Sequence, residues 1–314
     1  MNILLIDTVH PLFVEMLSAK GFSFTDATEW PKEKVFEALP NYEGVSIRSR
    51  IKVNKVFIDC ATKLRFIARA GAGMESIDVV YAESKGIACI SSPEGNRTAV
   101  GEHALGMILC LFNNLHRANA EIRHGKWLRE TNRGIELSGK TIGIIGYGNM
   151  GQAFAKVLKG FDVTILAYDK YKKGFDNEYV KESTLNEIFN SADVVSLHTP
   201  LTDETLYMVN MSFINAFKKS FYLINTARGK VVNTADLAES IKQGKVLGAC
   251  LDVLEYESAS FETFESTKLP EPYKYLLESK NVLLSPHIAG WTHESKIKLA
   301  TVLVEKILKL YSIQ

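Results

Sequence analysis

The stretch "GIIGYGNMG" constrains this chain more than any other. It supplies Gly146-x-Gly148-x-x-Gly151 directly after an apolar run, "TIGII", and directly before a helical one, "QAFAKVLKGF". That order predicts a strand, a tight turn and a helix. Gly146 permits the turn, Gly148 lets a pyrophosphate approach the backbone, and Gly151 lets helix and strand pack closely. The helix N-terminus then turns its unpaired N–H groups and positive dipole end toward the phosphates. The next strand ends at Asp169. A carboxylate there accepts hydrogen bonds from ribose hydroxyls and repels a 2′-phosphate. Lys170, Lys172 and Lys173 follow it, so the charge pattern favours NAD while leaving NADP open.

The same rhythm runs along the whole chain. Short apolar runs predict strands at 3–7, 44–48, 65–70 and 87–91, then at 141–146, 163–169, 193–199, 220–227, 248–254 and 281–285. Helix-like segments separate them, which predicts an α/β fold with doubly wound parallel sheets. Six strands in the second series suit a full dinucleotide-binding sheet. Residues 97–124 contain no proline and keep apolar residues at helical spacing. They predict one long, mostly buried helix, expected at a subunit interface. Residues 258–280 are polar with two prolines and predict an irregular surface excursion. Residues 292–311 predict an amphipathic helix with Ile297, Ala300, Leu303, Val304, Ile307 and Leu308 on one side.

A length of 314 residues suits two domains. A net charge of +1 lacks the basic footprint of a nucleic-acid binder, so the expected partner is a small molecule. The longest uncharged apolar run, "ALGMILCLF", is too short to span a bilayer. The N-terminus carries no signal-peptide pattern. Four cysteines without metal-ligand spacing fit free thiols in a reducing cytoplasm.

A nicotinamide cofactor implies hydride transfer, which needs a grip on the substrate and a group that moves a proton. Arg228, in "INTARGK", follows a predicted strand, where an open parallel sheet presents its ligands. It can grip a carboxylate with paired hydrogen bonds, or be an ordinary turn arginine. Asp252, Glu255 and Glu257 follow the next predicted strand, and position alone does not choose among them. His287 follows a strand and a proline, whereas His293 opens the last helix and is expected to be solvated. Arg48 and Arg50 flank Ser49 at another strand end, a pattern that suits a phosphate or merely solvated charge.

Seven ordered motifs resemble the D-isomer-specific 2-hydroxyacid dehydrogenases, and within them the D-3-phosphoglycerate dehydrogenases. They are "IRSR", "RAGAGMESID", "GIIGYGNMG", "VSLHTPLTDET", "LINTARGKVV", "GACLDVLEYE" and "SPHIAGWT". The resemblance implies a catalytic set of Arg228, Glu257 and His287, and so selects Glu257 over Glu255. His287 exchanges the substrate hydroxyl proton, a carboxylate beside it favours the charged ring, and Arg228 holds the substrate carboxylate. The resemblance also places Asn149 and Met150 by the pyrophosphate, and Thr199, Pro200, Thr226 and Ala227 along the cofactor. Asp252, Ala289 and Gly290 come at its nicotinamide end, with Asp252 on the carboxamide. Gly71, Ala72 and Gly73 offer N–H groups to the substrate, and Arg48 with Ser49 meets a phosphate.

The implied fold is a Rossmann-type NAD domain, 96–290, inserted into a flavodoxin-like substrate domain formed by 1–95 and 291–314. The active site is expected in the cleft and the long helix in a homodimer interface. D-3-phosphoglycerate is the favoured substrate, with hydroxypyruvate or glyoxylate as the alternative. An NAD-sensing co-repressor role is the remote one. Some features depart from the family pattern. Asn149 stands where an arginine is usual, and Ser258 stands where a proline is. The 258–280 segment looks long, and a C-terminal regulatory domain is expected to be absent. Trp291 is bulky where small residues are common and is expected to narrow the cleft mouth.

Overall fold

The computed structural model describes residues 1–257 and 269–312. The chain divides into two compact units, Met1–Arg97 with Trp291–Gln314, and Thr98–Gly290. The expected boundary at 95/96 lies slightly earlier, and both positions fall within one helix, α5 (Pro93–Phe112).

In the first unit, strands β1 (Asn2–Leu5), β2 (Ser23–Asp26), β3 (Gly44–Ile47), β4 (Phe66–Arg69) and β5 (Ala88–Ser91) alternate with helices α1 (Pro11–Ser18), α2 (Lys32–Ala38), α3 (Lys55–Cys60) and α4 (Val79–Ser84). The sheet order is β2-β1-β3-β4-β5, all parallel. This is a flavodoxin-like winding whose order reverses between β1 and β3. Strand β1 shows why a continuous apolar run is needed. Ile3 and Leu5 pack into one core, and Leu4 with Ile6 into the core on the other face. Helix α12 (His293–Leu310) returns to this unit, burying Leu303, Val304 and Ile307 completely against β1 and β4 side chains. Each such side chain stabilises the packing by about 1.5–3 kcal/mol.

After α5, the second unit continues through α6 (Leu115–Arg123), β6 (Thr141–Ile145), α7 (Asn149–Leu158), β7 (Thr164–Tyr168), β8 (Lys181–Glu182), α8 (Leu185–Ser191) and β9 (Val194–Leu197). It ends with α9 (Met211–Asn215), β10 (Phe221–Asn225), α10 (Thr234–Lys242), β11 (Val246–Leu251), α11 (Glu271–Glu278) and β12 (Val282–Leu284). Its seven parallel strands run β12-β11-β10-β9-β6-β7-β8. Counted from β6, that is the doubly wound dinucleotide-binding order with one further strand at an edge.

Three expectations are corrected. The predicted long helix over 97–124 is two helices. Asn114 adopts a left-handed φ of 52°, and the Asn113 side chain donates back to the Leu109 carbonyl at 3.0 Å. Asparagine is among the few residues that take that conformation readily. The second sheet has seven strands rather than six, because the two-residue edge strand β8 carries no apolar run. The polar segment 258–280 is not irregular throughout. Helix α11 lies within it and buries Tyr273 and Leu276, while residues 258–268, with Ser258, lie outside the described residues.

Candidate active site

The order of the larger sheet reverses between β6 and β9, so the loops after these strands leave in opposite directions and open a crevice at their C-terminal ends. The glycine turn lies there. Gly146 has φ +94°, and a Cβ on it would sit 2.6 Å from the His198 carbonyl oxygen at the end of β9. A Cβ on Gly151 would sit 2.1 Å from the Gly146 carbonyl, whereas Gly148 faces open space. Glycine is therefore required at 146 and 151 for packing, and at 148 only for access by a ligand. Helix α7 begins at Asn149, so the N–H groups of Asn149, Met150 and Gly151 have no intrahelical partner.

Asp169 follows β7. Its Oδ2 accepts from the Tyr147 amide at 2.8 Å, and its Oδ1 from the amides of Tyr171 and Lys172 at 2.9 and 3.0 Å. Partial burial opposes its charge, but these amides and the Lys172 charge outweigh that and hold the carboxyl below its usual range. It remains an anion next to the glycine turn. Farther along the same edge, the hydroxyls of Thr199 and Thr226 are buried without a hydrogen-bond partner among the described residues. Pro200 and Ala227 adjoin them in sequence. A turn open only at Gly148, a helix N-terminus, an acidic strand end and two orphaned hydroxyls fit a dinucleotide.

Arg228, Glu257 and His287 follow three neighbouring strands, β10, β11 and β12. Gly229 lets the arginine turn pack closely, since a Cβ there would lie 2.0 Å from the Leu254 carbonyl. The Asn225 side chain holds the turn by accepting from the Ala227 amide and donating to the Arg228 carbonyl, both at 3.0 Å. His287 Nδ1 lies 2.6 Å from Glu257 Oε2, with the two side chains 25% and 13% exposed. A carboxylate only accepts, so Nδ1 carries the hydrogen. Glu257 also accepts from the Leu254 amide, which fixes the carboxylate in turn. Glu255 is occupied elsewhere, by the Tyr207 hydroxyl and the Thr234 amide, both at 2.9 Å. His293 opens α12 in the other unit and is exposed.

Asp252 organises the histidine loop. Its side chain is 1% exposed. Its Oδ1 accepts from Ser285 Oγ at 2.6 Å and from the Ile288 amide at 2.9 Å, and its Oδ2 from the Ala289 amide at 2.9 Å. Its own carbonyl accepts from the His287 amide at 2.7 Å. That bond helps hold His287 at φ +54°, a left-handed conformation uncommon for a non-glycine residue. His103 on α5 completes the group, with Nε2 3.0 Å from Ser285 Oγ and 3.4 Å from Asp252 Oδ1. Burial opposes the Asp252 charge, but His103, Ser285 and the two amides more than offset it and keep the carboxyl below its usual range. Gly290 follows this loop. The sequence reading missed His103 and Ser285, and it assigned Asp252 to the cofactor without its role as loop anchor.

In the first unit, the Asp7 carboxylate lies at the end of β1 and accepts from three consecutive amides after β3, those of Arg48, Ser49 and Arg50. The two arginines then part ways. Arg50 donates to the carbonyls of Ile6, Ala27 and Trp30 and is structural. The Arg48 guanidinium lies 4.6 Å from the centroid of the Trp291 ring. Gly71, at φ +155°, lies against the Arg69 guanidinium, where a Cβ would clash. The amides of Ala72 and Gly73 make no hydrogen bond among the described residues.

One buried residue beside the crevice is expected to titrate with folding. His198 Nε2 pairs with Ser196 Oγ at 2.9 Å, and burial pushes the ring from 6.5 down to about 3. The folded value is the lower one, so the unfolded chain binds the extra proton. The stability of the neutral ring is complete above about pH 6.5 and is lost as pH falls toward 3, by about 1.4 kcal/mol per unit. Urea unfolding at pH 6.5, 5.5 and 4.5 is expected to show a shallower pH slope for His198→Asn than for the wild type. Equal slopes would remove His198 from the acid response.

A sequence profile described as "D-isomer specific 2-hydroxyacid dehydrogenase, NAD binding domain" matches residues 105–289. The chain is 32% identical over 312 residues to a D-3-phosphoglycerate dehydrogenase of Archaeoglobus fulgidus, covering 99% of this chain and 57% of that one. It therefore spans a little over half the length of such relatives. It is 37% identical over 280 residues to a hydroxypyruvate reductase of Thermotoga maritima, covering 88% of each. Its fold matches the crystal structure of a D-lactate dehydrogenase from Aquifex aeolicus complexed with NAD and lactic acid, at 28% identity and a TM-score of 0.81, over 100% of this chain and 96% of that one. The chain belongs to the D-isomer-specific 2-hydroxyacid dehydrogenase family. The cofactor of this family domain is NAD, which the glycine turn, Asp169 and the orphaned threonines fit. Among the described residues, no helix is long and apolar enough to cross a membrane.

Proposed function

We propose that the protein interconverts a D-2-hydroxy acid and its 2-oxo acid. The observation that carries this reading is the Glu257–His287 pair at 2.6 Å, held on the same strand edge as Arg228. Bound NAD supplies the hydride acceptor in oxidation and the donor in reduction. Glu257 takes up Nδ1, so proton exchange with the substrate oxygen falls to His287 Nε2. In oxidation that nitrogen removes the hydroxyl proton, and in reduction it returns a proton to the carbonyl oxygen. Arg228 holds the carboxylate and orients the reacting carbon.

The favoured substrate is D-3-phosphoglycerate. Arg48 supports this choice, because its charge is committed to no ion pair among the described residues. A hydroxypyruvate reductase is the second reading, supported by the Thermotoga relative matched over 88% of its length. Steady-state rates with NAD and D-3-phosphoglycerate, and with NADH and hydroxypyruvate or glyoxylate, separate the two. A kcat/KM at least tenfold higher for the phosphorylated pair is expected, and the reverse order would transfer the assignment. No turnover on any of them, with NAD-dependent capture of another protein, would favour the co-repressor role instead.

Leu115, Ile122, Trp127, Leu128 and Ile135 are exposed on and after α6. A second copy covering them is the proposed homodimer, which sedimentation velocity would test directly.

A further inference from the structure

Three lysines, Lys170, Lys172 and Lys173, follow Asp169, and the structure commits each of them. Lys172 Nζ donates to the Tyr147 carbonyl at 3.4 Å, and its charge bears on Asp169. Lys173 Nζ donates to the Asp169 carbonyl at 3.2 Å and lies 3.9 Å from Glu182 Oε1. Lys170 Nζ lies 2.6 Å from Glu204 Oε1. Glu204 comes from a different loop, the one after β9, and its Oε2 accepts from the Tyr171 hydroxyl at 3.1 Å. Strands β7 and β9 flank β6 on opposite sides, so this pair links the loops on either side of the glycine turn. The Lys170 ammonium holds the Glu204 carboxyl below its usual range, and Glu204 raises Lys170 above its own, so both are charged at neutral pH. Both side chains are 54% exposed, and exposed ion pairs contribute little to stability. The larger effect is on local potential. In this kind of fold a cation near the second strand end accommodates a 2′-phosphate, and here the lysine next to Asp169 has its charge cancelled.

We propose that Glu204 is a specificity-determining residue for the cofactor, acting alongside Asp169. By pairing with Lys170 it withholds the cation that a 2′-phosphate needs, and so disfavours NADP. Asp169 repels the phosphate directly, whereas Glu204 adds a second negative charge and removes a counter-charge. The inference concerns the cofactor alone and does not depend on which acid is oxidised.

The test is equilibrium binding of the two reduced cofactors in the absence of substrate. NADH is read by fluorescence titration and NADPH by its displacement of NADH. Glu204→Gln is expected to lower the ratio of the NADPH Kd to the NADH Kd by about fivefold to twentyfold at low salt. That gain is expected to shrink to about twofold at 1 M salt, where the Debye length is about 3 Å. In a Lys170→Met background the same substitution is expected to gain about threefold or less, because no cation is left to release. Asp203→Asn removes an equal charge one residue away, from a side chain without an ion pair among the described residues, and is expected to gain less than about twofold. A ratio within twofold of wild type for Glu204→Gln would overturn the inference, as would NADPH that still fails to displace NADH. So would an equal gain from Asp203→Asn or in the Lys170→Met background, since either would show that Lys170 is not the group Glu204 restrains.

Discussion

His287→Asn is expected to lower kcat by about 10²–10⁴-fold, the usual cost of losing a general acid/base. NAD affinity, read by fluorescence titration, is expected to stay within about threefold. The choice of asparagine matters. Residue 287 sits at φ +54°, and its amide is bonded to the Asp252 carbonyl. Asparagine tolerates that conformation, whereas a β-branched replacement would add backbone strain. The loss then reports on the imidazole alone. Turnover within tenfold of wild type would move the proton-transfer role elsewhere. His293, exposed at the start of α12, serves as the control position.

Asp252→Asn is expected to reduce both stability and activity. Four donors converge on this carboxylate: His103, Ser285, and the amides of Ile288 and Ala289. An amide side chain has a single acceptor oxygen, so at least one buried donor would face an NH₂ group. The cost is on the order of 3 kcal/mol. Because the same residue sets the course of the chain at His287, kcat is expected to fall at least tenfold through misplacement of the ring. Urea unfolding alongside steady-state kinetics measures both. The pH dependence has a definite sign. The folded carboxyl lies below its usual value of 3.8, so its contribution is present above that value and is lost only as pH falls through the lowered one. The stability gap between wild type and variant is thus expected to persist from neutrality down to about pH 4. A variant as stable as the wild type would mean that these hydrogen bonds are replaced by water.

Much of the architecture was legible because parallel strands buried on both faces need unbroken apolar runs. The central strands β1, β3, β6 and β9 all have them. The edge strands β2 and β8 were not legible, since they expose part of each residue and carry polar side chains. The break between α5 and α6 was hidden for a different reason. Asn113 and Asn114 pass as polar positions on a helix, and only the left-handed turn at Asn114 marks the end.

In the site, the glycine spacing was informative because each glycine answers a separate steric demand. Strand position separated His287 from His293, but it could not choose Glu257 over Glu255. That distinction lies in hydrogen-bond partners, which differ sharply between the two and leave no trace in local pattern. His103 was out of reach altogether. It meets Ser285 across 182 residues of sequence, and it lies in a helix whose apolar spacing gives every sign of plain packing.

Asp7 bears on how tightly Arg48 would hold the proposed anion. Its carboxylate gathers three successive amides at the end of β3, so the backbone beneath Arg48 is immobilised before any ligand arrives. Freezing a mobile loop residue costs about 1–2 kcal/mol in backbone entropy, and an arginine side chain adds up to about 2. Here the first cost is met during folding, and stacking on Trp291 restricts the side chain further. Capture of a charged group by Arg48 should therefore have a small entropic penalty, visible in calorimetry as binding whose enthalpy is little compensated.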